Sequence, residues 1–475
     1  MESNKAEEKL NFLNRLPGDK VVWIIVTLLS MISLVCIFSS TQLIGVNSDN
    51  SRFGIMVEQF VTIGLDLLVI LGCFQIRRIK WFKLISKYCF ALTFILLLTV
   101  VLHLNLGFAK AVPINGAYRV IRILGFQVHV YEVAKVAMVM YLAWAVDTYK
   151  KDGFLILPTL ARIDRLAFLG TPLAKVTVYI LLPIITVTVM ILAGGASSAI
   201  FTAAIMVLTV LIGGVDFKYI FLLGVAGCLA LGVCAGLYFL TKNNDDPLFN
   251  RIGVVIGRLS RNGAGDNMSD LEKFLAAKQG SEDYYNALDQ LRQPKGARLA
   301  VKEGGLLGKG PGQSTQKYVV SDMDADYMFS FIVEEYGILG AIVVLMLYIS
   351  LLARGSLIAR NCDNNFAKVA VAGLCLLITG QAMFHISVNL DLGFVTGQTL
   401  PMISHGTSSS LCFAAAFGII LSISRMAEDK IQIIQQNETP LVPESLQANE
   451  DELGSSLNDL DNLESGVEFT DNDIL

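Results

Sequence analysis

Charge is scarce in this chain. Of 475 residues only 16% are Asp, Glu, Lys or Arg, against about 25% in ordinary soluble proteins, which excludes a surface built mainly to face water. Zinc-ligand spacing, a Walker A loop, a Ser-His-Asp pattern and a dinucleotide fingerprint are all missing from the sequence, so no motif-borne metal, nucleotide or cofactor chemistry is expected. The stretch GLLGKGPGQST has the glycines of a phosphate-cradling loop without the Walker A order. The net charge of −4 reflects acid concentrated in the tail, and nucleic acid is not an expected partner. Cysteine is absent from the long polar stretch between 242 and 325; Cys36, Cys73, Cys89, Cys228, Cys234, Cys375 and Cys412 fall in apolar runs and Cys362 in a short basic loop. A disulfide framework is therefore not expected. Lys and Arg vanish from Gln436 onward while Asp and Glu accumulate, which reads as a disordered acidic tail.

What is present is apolar sequence in long runs. The mean hydropathy is +0.58, and the runs reach the 20 or so residues that span a bilayer. The expected fold is an all-α polytopic membrane protein of about ten transmembrane helices, near 21–43, 54–76, 82–105, 126–147, 173–193, 196–215, 217–241, 326–353, 366–390 and 403–425. Residues 1–20 form a charged lead-in to a full-length span, with no cleavable signal peptide expected, and 426–475 form the acidic tail. Lys20, Arg77, Arg78, Lys80, Lys83, Lys150, Lys151, Arg354, Arg360 and Lys368 fall on one side for an even count. The positive-inside trend makes that side cytoplasmic, with both termini on it and the 242–325 loop outside. Short amphipathic helices are expected in that loop around Asp270–Lys278 and Tyr284–Leu291.

Several polar groups sit where apolar ones would be cheaper. The stretch EGGLLGKGPGQSTQKYVVSDMDADYMFSFIVEEYGILGA passes from glycine-rich polar sequence through Asp322, Asp324 and Asp326 into a span. Asp326 at that boundary is either a helix cap or a partly dehydrated carboxylate fit to accept a proton. Glu132 and Lys135, three apart in the fourth span, either serve a site or neutralise each other. Arg119 and Arg122 in INGAYRVIRI lie in an outer loop, suited to an anionic ligand such as a diphosphate or to lipid headgroups. Glu58 and Asp66 in the second span read as interhelical contacts. VTGQTLPMISHGTSSSL, with Gly397, Pro401 and Gly406, predicts a broken or re-entrant segment lining a cavity; His405 within it is a proton carrier or simply hydrogen-bonded.

Three blocks in order resemble the SEDS family (shape, elongation, division and sporulation) of peptidoglycan glycan polymerases, the FtsW and RodA type. INGAYRVIRI…YEVAKVA is similar to the family's NGA-x-RW…QPSE-x-x-K, GGLLGKGPGQSTQK…ADYMFSFIVEEYGILGA to GG-x-x-GKG-x-GNS-x-QK…TDFIF-x-x-x-EE-x-G-x-x-G, and VTGQTLPMISHGTSS to TG-x-x-LP-x-ISYGGSS. The wording around Gln398 is nearer FtsW. Departures are Val120 for Trp; His129, Val130 and Tyr131 for Gln-Pro-Ser; Gly194 and Gly195 for Pro-Asp; His385 for Asn; Phe394 for Pro; and His405-Gly406-Thr407 within the Ser-Tyr-Gly-Gly run that starts at Ser404.

The resemblance implies a glycosyltransferase that polymerises lipid II at the outer face of the bacterial inner membrane, in division or elongation, beside a class B penicillin-binding protein. It places the catalytic acid at Asp326 and substrate or diphosphate contacts at Arg119, Lys317, Lys135 and Glu132. Gly308, Gly310, Gly312 and Ser314 fall in a loop whose glycines would let it close over substrate. Glu334, Ser404 and His405 match further family positions, and Glu335, on the opposite helix face, is not expected in the cavity. No dedicated metal site is evident, although a divalent cation would suit a departing diphosphate. A lipid II flippase and a non-catalytic division scaffold are the competing readings.

Overall fold

The computed structural model describes residues 17–40, 52–105, 107, 109–114, 117–123, 125–154, 159, 161–162, 168, 170–192, 194–219, 221, 224, 279, 281–392 and 397–438. Ten helices of the described residues carry labels here: α1 Lys20–Ser40, α2 Arg52–Phe74, α3 Ile79–Val101, α4 Val130–Lys150, α5 Pro172–Leu192, α6 Ala196–Ile212, α7 Glu282–Gly304, α8 Met328–Asn361, α9 Asn365–Asn389 and α10 Thr407–Glu438. Seven of them (α1, α2, α3, α5, α8, α9 and α10) are long and apolar enough to cross a membrane. Helix α4 is as long as α1 but carries Glu132 and Lys135. The expected span at 217–241 and the helix at Asp270–Lys278 lie almost wholly outside the described residues, as does the tail beyond Glu438. The last helix runs 13 residues past the expected limit at 425.

Local sequence sets the helix ends. Asp19 caps α1, its Oδ1 accepting from the backbone of Val21 at 3.0 Å and Val22 at 3.1 Å, and its other oxygen binds Arg354 Nε of α8 at 2.5 Å. Thr171 and Asn364 cap α5 and α9 through their side-chain oxygens. A π turn at Thr177–Leu181 interrupts α5.

Two departures from the expected all-helical chain position the site. The first is a three-stranded antiparallel sheet, β1 Ala109–Ile114, β2 Ala117–Ile123 and β3 Phe126–His129, in the order β1-β2-β3. It occupies what reads as an outer loop and the start of the fourth span, so α4 begins at Val130 rather than 126. Along β2, Val120 and Ile121 are buried and Arg119 is half-buried, while Arg122 is exposed.

The second is a break in α8 at Gly337, whose φ of 68° and ψ of −170° leave the helical region. A break strands backbone groups that the membrane interior cannot hydrate, and the glycine-rich loop supplies partners. Lys309 N and Gly310 N donate to the carbonyls of Glu334 (2.8 Å) and Glu335 (3.0 Å). In return, Ile338 N and Leu339 N donate to those of Gly305 (3.0 Å) and Leu306 (3.3 Å). The approach is so close that a Cβ on Gly308 would lie 2.3 Å from the Glu335 carbonyl oxygen, and one on Gly337 2.3 Å from that of Leu306. Glycines expected to free the loop instead let it dock.

Candidate active site

Asp326 ends a tight turn, 322–327, just before α8, and does not serve as that helix's cap: the N-cap is Tyr327 and no side chain caps it. The turn is held from two sides. His405 N donates to the Asp324 carbonyl (2.9 Å), Ser404 Oγ to that of Ala325 (2.7 Å) and Asn389 Nδ2 to that of Asp326 (3.2 Å). Three consecutive carbonyls are thus fixed by the 397–406 segment and α9, leaving the half-buried Asp326 side chain directed by its backbone. Loss of water pushes its carboxyl from the usual range up to about 7; Asp322 and Asp324 add to the rise and Arg119 opposes it.

Arg119 reaches the same place from β2, its Nε donating to the Gly194 carbonyl at 3.1 Å. Gly397 lies between the two charges: a Cβ there would stand 3.1 Å from Asp326 Oδ2 and 3.6 Å from an Arg119 terminal nitrogen. The missing side chain therefore keeps open a gap with a carboxyl group on one wall and a guanidinium on the other. Gly397→Val is expected to leave folding intact, because residue 397 is exposed, and to lower turnover at least tenfold by filling that gap. Steady-state rates of the purified variant check this. The departure at Gly194 has a steric cause. A Cβ there would fall 1.6 Å from the Tyr131 hydroxyl, which donates to the Tyr118 carbonyl at 3.1 Å, so the bulky Tyr131 requires glycine opposite.

Lys135 takes another role from the one the resemblance implies. Its ammonium donates to Glu132 Oε1 (2.7 Å), Gln381 Oε1 (2.6 Å) and Gln398 Oε1 (2.8 Å), with 1% of the residue exposed. An ammonium has three protons, and these three bonds use them all. Gln398 in turn donates to Ser198 Oγ at 2.6 Å, and its carbonyl accepts from His385 Nδ1 at 2.6 Å. Lys135 and Glu132 thus pin the segment that carries Gly397.

Lys317 and the paired glutamates form a second buried cluster. Lys317 Nζ donates to the carbonyls of Gly312 (2.8 Å) and Ser39 (3.2 Å) and lies 3.7 Å from Glu335 Oε1. Glu334, wholly buried, accepts from Ser314 Oγ (2.5 Å), Thr315 N (2.9 Å) and Lys309 Nζ (2.7 Å). Glu335, also wholly buried, accepts from Ser39 Oγ at 2.7 Å. The loop residues Gly308, Gly310, Gly312 and Ser314 are therefore bound to the broken helix. Lys317 and Glu334 thus share the cluster in which Glu335 lies.

Ser404 and His405 belong with the Asp326 turn, through the bonds above and through His405 Nδ1, 3.2 Å from Asp324 Oδ2. Asp66 accepts from Ser410 Oγ of α10 at 2.5 Å, the interhelical contact expected of it. Sequence reasoning missed Gln381, Asn389 and Ser198, ordinary polar residues whose value lies in partners far along the chain. Among the described residues no group of three His, Cys, Asp or Glu side chains is arranged to hold a metal ion.

Comparison with known proteins agrees with this architecture. A probable peptidoglycan glycosyltransferase FtsW of Geobacter metallireducens is 25% identical over 417 residues, 88% of this chain and 97% of that protein. The stage V sporulation protein E of Bacillus subtilis is 25% identical over 412 residues, 86% of this chain and 97% of that protein. RodA of Thermus thermophilus shares the fold at a TM-score of 0.51 and 20% identity, covering 87% of this chain and 98% of that one. A chain from a peptidoglycan synthase complex that coordinates polymerization and crosslinking does so at 0.58 and 18%, covering 87% and 99%. With residues 19–254 and 272–429 matching the pattern of the FtsW/RodA/SpoVE cell cycle proteins, the chain belongs to that family.

Proposed function

We propose that this protein is a peptidoglycan glycosyltransferase that polymerises lipid II at the outer face of the cytoplasmic membrane, in cell division. The observation that carries the reading is the placement of Asp326 and Arg119 across the gap at Gly397, at the end of a helix broken and braced by its own loop. Family membership and the relatives named as peptidoglycan glycosyltransferases support the reaction class.

Asp326 acts as general base on the 4-hydroxyl of the acceptor sugar. As its proton passes to the carboxylate, the oxygen bonds to the anomeric carbon of the donor. The bond from that carbon to the diphosphate oxygen breaks, and its electron pair leaves with undecaprenyl diphosphate. Arg119 meets the negative charge gathering there. A divalent cation that assists is proposed to arrive on the diphosphate. The orientation with termini inside rests on the basic residues at the span ends, some of which pair with acids at neighbouring span ends. Lys83 and Lys151 both bond Asp147, at 2.5 and 2.8 Å, while Arg354 bonds Asp19. The proposed partner is a transpeptidase of the class B penicillin-binding type, recruited with other division proteins.

The test is purified protein with lipid II, alone and with the transpeptidase. Glycan polymer is the expected product; transfer of lipid II across vesicles without polymer points to a flippase, and neither activity to a scaffold. The rate should climb with pH and level off above about 7, because the base works only when ionised and its carboxyl titrates near there. Below that limb each pH unit should cost about tenfold. A flat profile between pH 5 and 8 contradicts the assignment.

A further inference from the structure

The contact between His405 and Asp324 is an ionisable pair beside the site that the proposed reaction does not use. Its geometry is double: the backbone N–H of His405 donates to the Asp324 carbonyl at 2.9 Å, and the imidazole Nδ1 lies 3.2 Å from the Asp324 carboxylate. The two residues are therefore locked side by side whatever the protonation of the ring. Asp324 is buried, at 5% exposure, and stands two residues before Asp326 in the same turn. The His405 side chain keeps 30% exposure, so protons from the outer solution reach it. The family pattern has Tyr at this position, and this chain replaces it with a group that carries charge.

We propose that His405 is a positioning residue for Asp326, which cancels the negative charge of Asp324 and so keeps the catalytic carboxylate ionised in mildly acid surroundings. The inference rests on Asp326 being the base. The charges in play come from every packed element. Asp324 of the turn and Glu58 of α2 act on His405, while Asp322 and Asp324 of the turn and Arg119 of β2 act on Asp326. The hydrogen bond and charge of Asp324 hold the His405 proton more tightly than in a free imidazole, against the opposing effect of burial. As pH falls, His405 becomes cationic where the carboxylate of Asp326 would otherwise be claimed by a proton. At higher pH both it and an uncharged replacement are neutral, and the two should behave alike.

The experiment is the pH–rate profile of glycan polymerisation by the purified wild type, His405→Gln, Asp324→Asn and the double variant. Gln retains a hydrogen-bond donor for Asp324 and lacks only the charge. His405→Gln should shift the acid limb to higher pH, lowering the rate about threefold at pH 6, and should converge on wild type above pH 8. Asp324→Asn should leave the limb close to that of the wild type, whose His405 already cancels the charge removed, and the double variant should lie near Asp324→Asn, because His405 then has no charge to cancel. An unshifted limb in His405→Gln overturns the proposal, as does a double variant whose limb stays with that of His405→Gln, or a uniform loss at every pH, the signature of a structural role alone. If His405→Gln does not fold, His405→Asn is measured in its place, with the same shift expected. An active Asp326→Asn enzyme is a distinct result: it removes the base itself, and this inference falls with it.

Discussion

Asp326→Asn should reduce glycan polymerisation by about 10²–10⁴-fold, the usual contribution of a general base, without loss of folded protein from the membrane. Two structural facts separate chemistry from stability here. The turn is held through the backbone carbonyls of Asp324, Ala325 and Asp326, and Asn at 326 leaves each of those bonds in place. The side chain is also costly in its ionised form, being withdrawn from water and close to Asp322 and Asp324. Neutralising it relieves that cost, so the midpoint of thermal unfolding in detergent should stay level or rise slightly. A variant that is inactive and markedly less stable would show Asp326 to be a structural residue. An active one would show that the proton leaves by another route.

Lys317→Met should do the opposite, lowering stability first. It strips the buried carboxylate of Glu335 of its ion partner at 3.7 Å, in a site where neither residue exceeds 1% exposure. Removing one member of a buried pair costs about 3–5 kcal/mol, enough to unfold a marginal protein. Its ammonium also holds the carbonyls of Gly312 and Ser39, so the glycine-rich loop and α1 should loosen together. Pairing the change with Glu335→Gln removes the orphaned charge and should recover much of the lost stability, as read from thermal unfolding. If Lys317 instead served the diphosphate, Lys317→Met would fold normally and fail only in turnover, and the second substitution would not help it.

Sequence and structure agree where the signal is local. Helices α1, α2, α3, α5, α8, α9 and α10 coincide with long apolar runs, because length and hydropathy are read from neighbours in the chain. Asp326 is legible for the same reason, as a carboxylate at the foot of such a run. The sheet is not legible although AYRVIRI carries three β-branched residues: its strands of four to seven residues read as outer loop for β1 and β2 and, for β3, as the start of the adjoining span. The break at Gly337 is one glycine in an apolar helix, and it becomes intelligible only beside the loop near Gly308 that fills its lost hydrogen bonds.

Long-range partners explain the reassigned cations. Lys135 reads as a site cation until Gln381 and Gln398, 246 and 263 residues away, are seen to take its protons. Lys317 reads the same way until Glu335 and the Ser39 carbonyl appear beside it. Of the four charged groups assigned to substrate, Arg119 is the one that shares the Gly397 gap with Asp326. Sequence spacing names residue types well and cannot say which of two lysines is already fully bonded.

The most direct measurement is a structure of the Asp326→Asn protein with lipid II bound. The account predicts the acceptor hydroxyl within about 2.6–3.2 Å of the residue 326 side chain, the donor diphosphate against Arg119, and sugar in the gap over Gly397. A diphosphate seated on Lys317, or an acceptor hydroxyl remote from residue 326, would contradict it.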